Sequence, residues 1–328
     1  MQPNKPFYIT YNALLALYLV APLGLCIALI DTLFFHHGLQ KILPVNPETV
    51  RFLTIFLVMP HIICSASTFF DMEYLKYYKN KLLCSIPIII FLSILVPLLF
   101  GIPAAAIVYS LFTVTHIVSQ QAGVSALMLG ERNIFLSCWK WLFVLSVSMI
   151  YLIVFKITAF FPTQLTSAIA LNWMVAIIIF SGIGMLVLGH IVCLKSKSMM
   201  GKRYIWANNF MLLCSCACIA MGYTFFGILI SRIIHDLTAF IFYLNHDANR
   251  NADKNNNFLL GYFNFLKIPV IFFSPLFAIL IANLLLQVRG TYLWIQVSIL
   301  LISYFHYYTE RFMWRGDNLH RKAIRIRT

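Results

Sequence analysis

An all-α, polytopic membrane helix bundle of about ten transmembrane helices is the fold this sequence predicts. Hydrophobic residues make up 61 % of the 328 and charged residues only 10 %, against roughly 45–50 % and about 25 % in ordinary soluble domains. The mean hydropathy is +0.86. The apolar runs are long enough to cross a bilayer, which takes about 20 residues per helix. Too few polar side chains remain to cover a soluble surface. A soluble enzyme, a nucleic-acid-binding domain and a disordered chain are therefore excluded, and the chain reads as one transmembrane domain over 1–328 with no soluble domain.

Ten spans follow in order, at 8–34, 50–70, 82–99, 102–128, 134–160, 168–194, 205–221, 223–245, 264–286 and 291–313. The first has no small-residue cleavage site and is too long for a signal-peptide core, so it counts as a true span. The third and fourth are divided only by Phe100-Gly101-Ile102-Pro103, and the seventh and eighth only by Met221-Gly222-Tyr223. Gly and Pro at these points mark tight turns. Gly182 and Gly184 inside the sixth span read as a close helix contact. Between the eighth and ninth lies the one polar loop, Asn249 to Asn257.

Charge tests the division. Alternate loops collect 16 Lys and Arg on one side, including Lys5, Lys76, Arg132, Lys195, Arg203, Arg250, Lys254 and Arg321, and 3 on the other, Lys41, Arg51 and Arg289. This positive-inside bias predicts both termini in the cytoplasm, an even number of spans and a plasma (inner) membrane location. The net charge of +14 belongs to these loops and is no nucleic-acid footprint. The eight cysteines fall almost wholly within apolar runs and read as small hydrophobes, Cys214-x-Cys216-x-Cys218 included.

Histidine placement carries the functional signal. His36 and His37 lie in the first outer loop and His320 in the basic tail, but six of the nine lie within or at the end of even-numbered spans. His61, His116, His235 and His306 fall about 9, 12, 10 and 7 residues from the cytoplasmic ends of their helices, one layer roughly 8 Å thick at 1.5 Å rise per residue. Ionisable groups inside a bilayer are costly and normally serve a function. A lone His would be an interhelical hydrogen-bond donor. Four at one depth on four helices predict a transition-metal site, since imidazole is the commonest ligand.

Oxygen ligands stand nearby at helical spacing. Glu310 follows His306 by one turn, Gln120 follows His116 by one turn, and Asp236 adjoins His235. Asp71 and Glu73 close the second span. The predicted metal set is His61, His116, His235, His306, Glu310 and Asp236. Phe242, Tyr243, Tyr307 and Gln120 are the expected substrate-facing side chains. His190, His246 and Asp247 lie nearer the cytoplasm as entrance or structural caps; His235 and His246 are eleven apart, about 16 Å along one helix, too far to share an ion. No phosphate-binding loop, dinucleotide fingerprint or nucleophile elbow is present.

Pro60-His61, Thr115-His116, the His235 helix and Phe305-His306 with an acid one turn on resemble the Brp/Blh family of membrane carotenoid-cleaving oxygenases. That resemblance, scattered over four helices, implies iron bound by histidines from several helices, with His61, His116, His235 and His306 as ligands. The acid a turn after the family's Pro-His is absent here, as is its pair of histidines four apart.

The expected function is a non-haem iron oxygenase acting on an apolar lipid-like or isoprenoid substrate entering from the bilayer, with an electron donor as a further partner and no nucleic acid. Two alternatives use the same polar residues: a transporter or channel for a metal ion, proton or small solute, and a single bis-histidine haem.

Overall fold

In a computed structural model, the residues described are 6–156, 163–252, 256–288, 293–316 and 318–327. The expected span ends at 157–160 and 291–292, and Lys5, Lys254 and Arg289 of the charge count, lie outside them. Among the described residues there are nine long helices: α1 Tyr11–Phe34, α2 Arg51–Phe70, α3 Met72–Leu129, α4 Ile134–Val154, α5 Gln164–Lys195, α6 Met199–Ala220, α7 Thr224–Arg250, α8 Val270–Val288 and α9 Leu293–Met313. Seven of them, all but α6 and α9, are long and apolar enough to cross a membrane, which gives the chain its membrane character. At 58 residues α3 would run about 87 Å if straight, far beyond the bilayer core. Gly101, at φ 81° and ψ 170°, breaks it at the predicted division. Only glycine takes that conformation without strain.

Helix starts depart from the hydropathy-based limits where a polar cap extends the helix. The Asp71 carboxylate accepts from the Glu73 amide at 2.9 Å, so α3 begins ten residues before the expected span. Ser198 accepts from the Gly201 amide at 3.1 Å and starts α6 at Met199 rather than 205. Each such cap stabilises a helix by about 1 kcal/mol.

The chain divides into two compact units, each assembled from segments distant in sequence. In unit one (1–10, 51–105 and 236–328), α2 packs against α8 and α9, and the first part of α3 against α9. Met59, Ile62, Ile63, Tyr78, Tyr243, Phe312 and Met313 form its apolar core, with Ala278 and Ala282 on α8. Small residues at such contacts let helix backbones approach closely.

Residues near both termini join in this unit. Strands β1 (Ile9–Thr10) and β2 (Ile326–Arg327) pair in parallel. Asn245 on α7 donates to the Phe7 carbonyl at 2.6 Å and accepts from the Arg325 amide at 2.8 Å. The first expected span thus starts three residues late, because Ile9 and Thr10 are a strand. His320, read from sequence as part of an open basic tail, is fully buried. It stacks on Tyr74 at 3.9 Å and on His246 at 5.0 Å, and contacts Tyr78 and Thr68 through its ring nitrogens.

Burial holds the His320 imidazole well below its ordinary value of 6.5, and the neighbouring His246 and Arg250 charges push the same way. The docked tail therefore holds His320 neutral, while a released tail takes up a proton below about pH 6.5. Docking is at full strength above that pH and weakens on acidification, by up to about 1.4 kcal/mol per pH unit. The protection factors of backbone amides 319–327, that is their exchange corrected for the intrinsic rate at each pH, are expected to fall between pH 7.5 and 5.5. His320→Phe should remove that fall; protection unaltered by pH in the unsubstituted chain would contradict the account.

Unit two (11–50 and 106–235) is built on α4 packed against α5, with α6 against α1 and α5. The Ser146 and Ser181 hydroxyls meet at 2.6 Å between α4 and α5, and Trp139 donates to Asn209 at 2.9 Å. Of the two glycines expected at a close contact, Gly184 is at one: a Cβ there would lie 2.7 Å from Leu142. Gly182 faces open space instead.

Candidate metal centre

In unit one, three helices bring two imidazoles and two carboxylates together in the core. His61 comes from α2, Asp236 from α7, and His306 and Glu310 from α9, with 1 %, 1 %, 0 % and 7 % of their surfaces exposed. The His61 and His306 rings meet edge to face with centroids 4.9 Å apart. His61 Nδ1 lies 3.6 Å from an Asp236 oxygen, and His306 Nδ1 lies 4.0 Å from Glu310 Oε1. The second contact follows from helix geometry, since residues four apart stack on one face. Tyr243 donates its phenolic proton to Glu310 Oε1 at 2.5 Å and packs against the Trp314 ring.

The local helix shape at His61 is unusual. Residues Thr54–Val58 form a π-helical turn, with the Met59 amide bonded five residues back to the Thr54 carbonyl. Pro60 follows and has no amide hydrogen to give. His61 Nδ1 lies 3.1 Å from the Leu57 carbonyl. A carbonyl can only accept, so Nδ1 carries the proton and the neutral ring presents its lone pair at Nε2.

Unit two holds the other predicted pair. His116 on α3 and His235 on α7 meet edge to face with centroids 4.9 Å apart. His235 Nδ1 lies 2.8 Å from Gln120 Oε1. The His61 and His306 rings are thus neighbours in unit one, and the His116 and His235 rings in unit two. Asp236 and His235 are consecutive on α7, where the division between the units falls.

The donor set in unit one suits a divalent transition metal. Neutral imidazoles supply borderline-soft nitrogen, and two carboxylates offset the cation's charge in a low-dielectric interior. Among the described residues, the three closely spaced cysteines of α6 remain free thiols.

The other predicted residues lie as follows. Phe242 and Tyr307 are buried, and the Tyr307 ring is 5.6 Å from that of His306. Tyr243 and Gln120, expected against substrate, each hold a candidate ligand. His190 is exposed, its ring 6.2 Å from that of Trp206. His246 and Asp247 form a structural cap: His246 Nδ1 meets Asp247 at 3.0 Å and its Nε2 meets the Tyr74 hydroxyl at 2.9 Å, while Ser274 donates to the other Asp247 oxygen at 2.8 Å. Asp71 and Glu73 are spent on Arg250, an ion pair that ties α3 to the end of α7.

Sequence reasoning missed Asp31, a buried carboxylate on α1. It accepts from the Leu39 and Gln40 amides and from the Tyr223 hydroxyl at 2.8–3.0 Å, which fixes the short helix Gly38–Ile42. An acid inside an otherwise apolar span was the available signal.

No protein-family model, no curated protein and no solved structure matches this chain.

Proposed function

We propose that this protein is a membrane-embedded, metal-dependent oxidoreductase, a non-haem iron oxygenase whose substrate is an apolar lipid-like or isoprenoid molecule. The observation that carries the reading is the buried cluster of His61, His306, Asp236 and Glu310 in unit one. His61 and His306 would hold the metal through nitrogen, Asp236 and Glu310 through oxygen or charge, and Tyr243 orients Glu310. His116 and His235 are further proposed ligands, on the strength of their depth in the sequence and the resemblance to the Brp/Blh family. Bound iron would supply the activation of O2. Buried aromatic walls such as Phe242 and Tyr307 would keep water from the reacting atoms.

An apolar ligand would fit an open groove of about 380 Å³ in unit one, lined by Phe69, Leu82, Ile86, Ile89, Ile302 and Phe305. Phe305 directly precedes His306 on α9. The proposed topology has ten spans with both termini in the cytoplasm of a plasma-membrane protein. It rests on the charge bias, and the parallel pairing of β1 with β2 supports termini on one side.

The test uses purified protein in lipid vesicles, loaded anaerobically with Fe2+ and supplied with a lipid extract of the source membranes. Oxygen uptake that needs both iron and extract, and that is lost in His306→Ala, is the expected result. Uptake of one O2 per product without reductant would mark a dioxygenase. Absence of oxygen uptake, with Fe2+ or protons crossing the vesicle wall instead, would replace this reading with a transporter.

A further inference from the structure

A chain of buried hydrogen bonds in unit two ends on His235. The Tyr18 and Tyr204 hydroxyls both donate to Gln121 Oε1, at 2.6 and 3.0 Å. Their rings meet edge to face, 5.1 Å apart. Asn208 is anchored by its own amide nitrogen on the Tyr204 carbonyl at 2.9 Å and turns its oxygen to Tyr18 at 3.0 Å. With its oxygen engaged by two hydroxyls, Gln121 points its amide nitrogen at Gln120 Oε1, 3.5 Å away. Gln120 therefore presents an oxygen, and that oxygen lies 2.8 Å from His235 Nδ1. An amide oxygen only accepts, so the proton sits on Nδ1.

We propose that Gln120 is a positioning residue: held by Gln121 and the Tyr18–Tyr204 pair, it fixes His235 as the Nδ1-protonated tautomer and so makes Nε2 its metal-binding atom. Its role is then not contact with substrate. The arrangement parallels His61, whose Nδ1 is occupied by the Leu57 carbonyl. A hydrogen bond on the far nitrogen sets ring orientation and raises ligand basicity, and removing such a partner typically costs 10–100-fold in metal affinity. The polar side chains of Tyr18, Gln121, Tyr204 and Asn208 sit deep in apolar helices, where each would be costly without a partner; the chain of bonds explains their presence together.

The inference rests on the metal-site reading for its consequence but not for its geometry, and two measurements separate them. In metal-free protein labelled with 15N-histidine, His235 (assigned with His235→Asn) should show a protonated Nδ1 and an unprotonated Nε2. Gln120→Glu, whose carboxylate also accepts, should keep that tautomer; Gln120→Leu should lose it. In Fe2+ titrations, Gln120→Leu should bind 10–100-fold more weakly than the unsubstituted chain, and Gln120→Glu within a few-fold of it. A merely structural role would make both variants fail alike. An Nε2-protonated His235 in the unsubstituted protein, or equal loss of affinity in both variants, overturns the proposal. The expected tautomers without Fe2+ binding by any variant would keep Gln120 as the residue that sets the His235 tautomer, but would refute Nε2 as a metal-binding atom and the oxygenase with it.

Discussion

Replacement of His61 or His306 by alanine is expected to lower metal affinity by more than about 100-fold. Loss of a direct ligand should exceed the 10–100-fold cost of losing a residue behind one. Both rings are fully enclosed and 4.9 Å apart, so each removes a nitrogen from the same small volume. A cavity in the core could unfold the protein and mimic this result. The near-isosteric His61→Gln and His306→Gln keep the volume and should lose metal to a similar degree while melting close to the unsubstituted protein. His36→Ala and His37→Ala, in the loop after α1, should retain it. His320 is no such control, because it is walled in by Tyr74, Tyr78 and His246 and its truncation reports on tail docking. Full metal retention in both His61→Gln and His306→Gln would remove these residues from the site.

The helices were legible because apolar runs of bilayer length have few other uses, and the glycine break at Gly101 was legible because φ near +81° needs glycine. Depth along each helix placed His61, His116, His235 and His306 in one layer. Depth says nothing about rotation about the helix axis, and rotation decides what each side chain faces. Gln120 and Tyr243 therefore read as pocket walls, although one holds His235 and the other holds Glu310. Asp71 looked like a possible oxygen ligand from its place at the end of a span. Its position is equally that of a helix cap, and its partner Arg250 lies 179 residues away. The buried His320 was invisible for a related reason: a run of Arg and Lys reads as solvated, while the aromatic slot that receives the imidazole is formed by residues from α3, α7 and the end of α9. Strands of two residues, joined across more than 300 positions, leave no periodic trace at all.

The second large effect concerns the metal itself. Metal analysis combined with a UV–visible spectrum should be made on protein purified without chelator. Imidazole and carboxylate donors favour a metal held by N and O ligands. Near-stoichiometric iron with no Soret band is the predicted result, falling to background in His61→Gln. A Soret band would assign the histidines to haem. Protein that is folded, holds no metal as isolated and takes up none from Fe2+ would contradict the account, and the buried imidazoles and carboxylates of unit one would then be a hydrogen-bonded core.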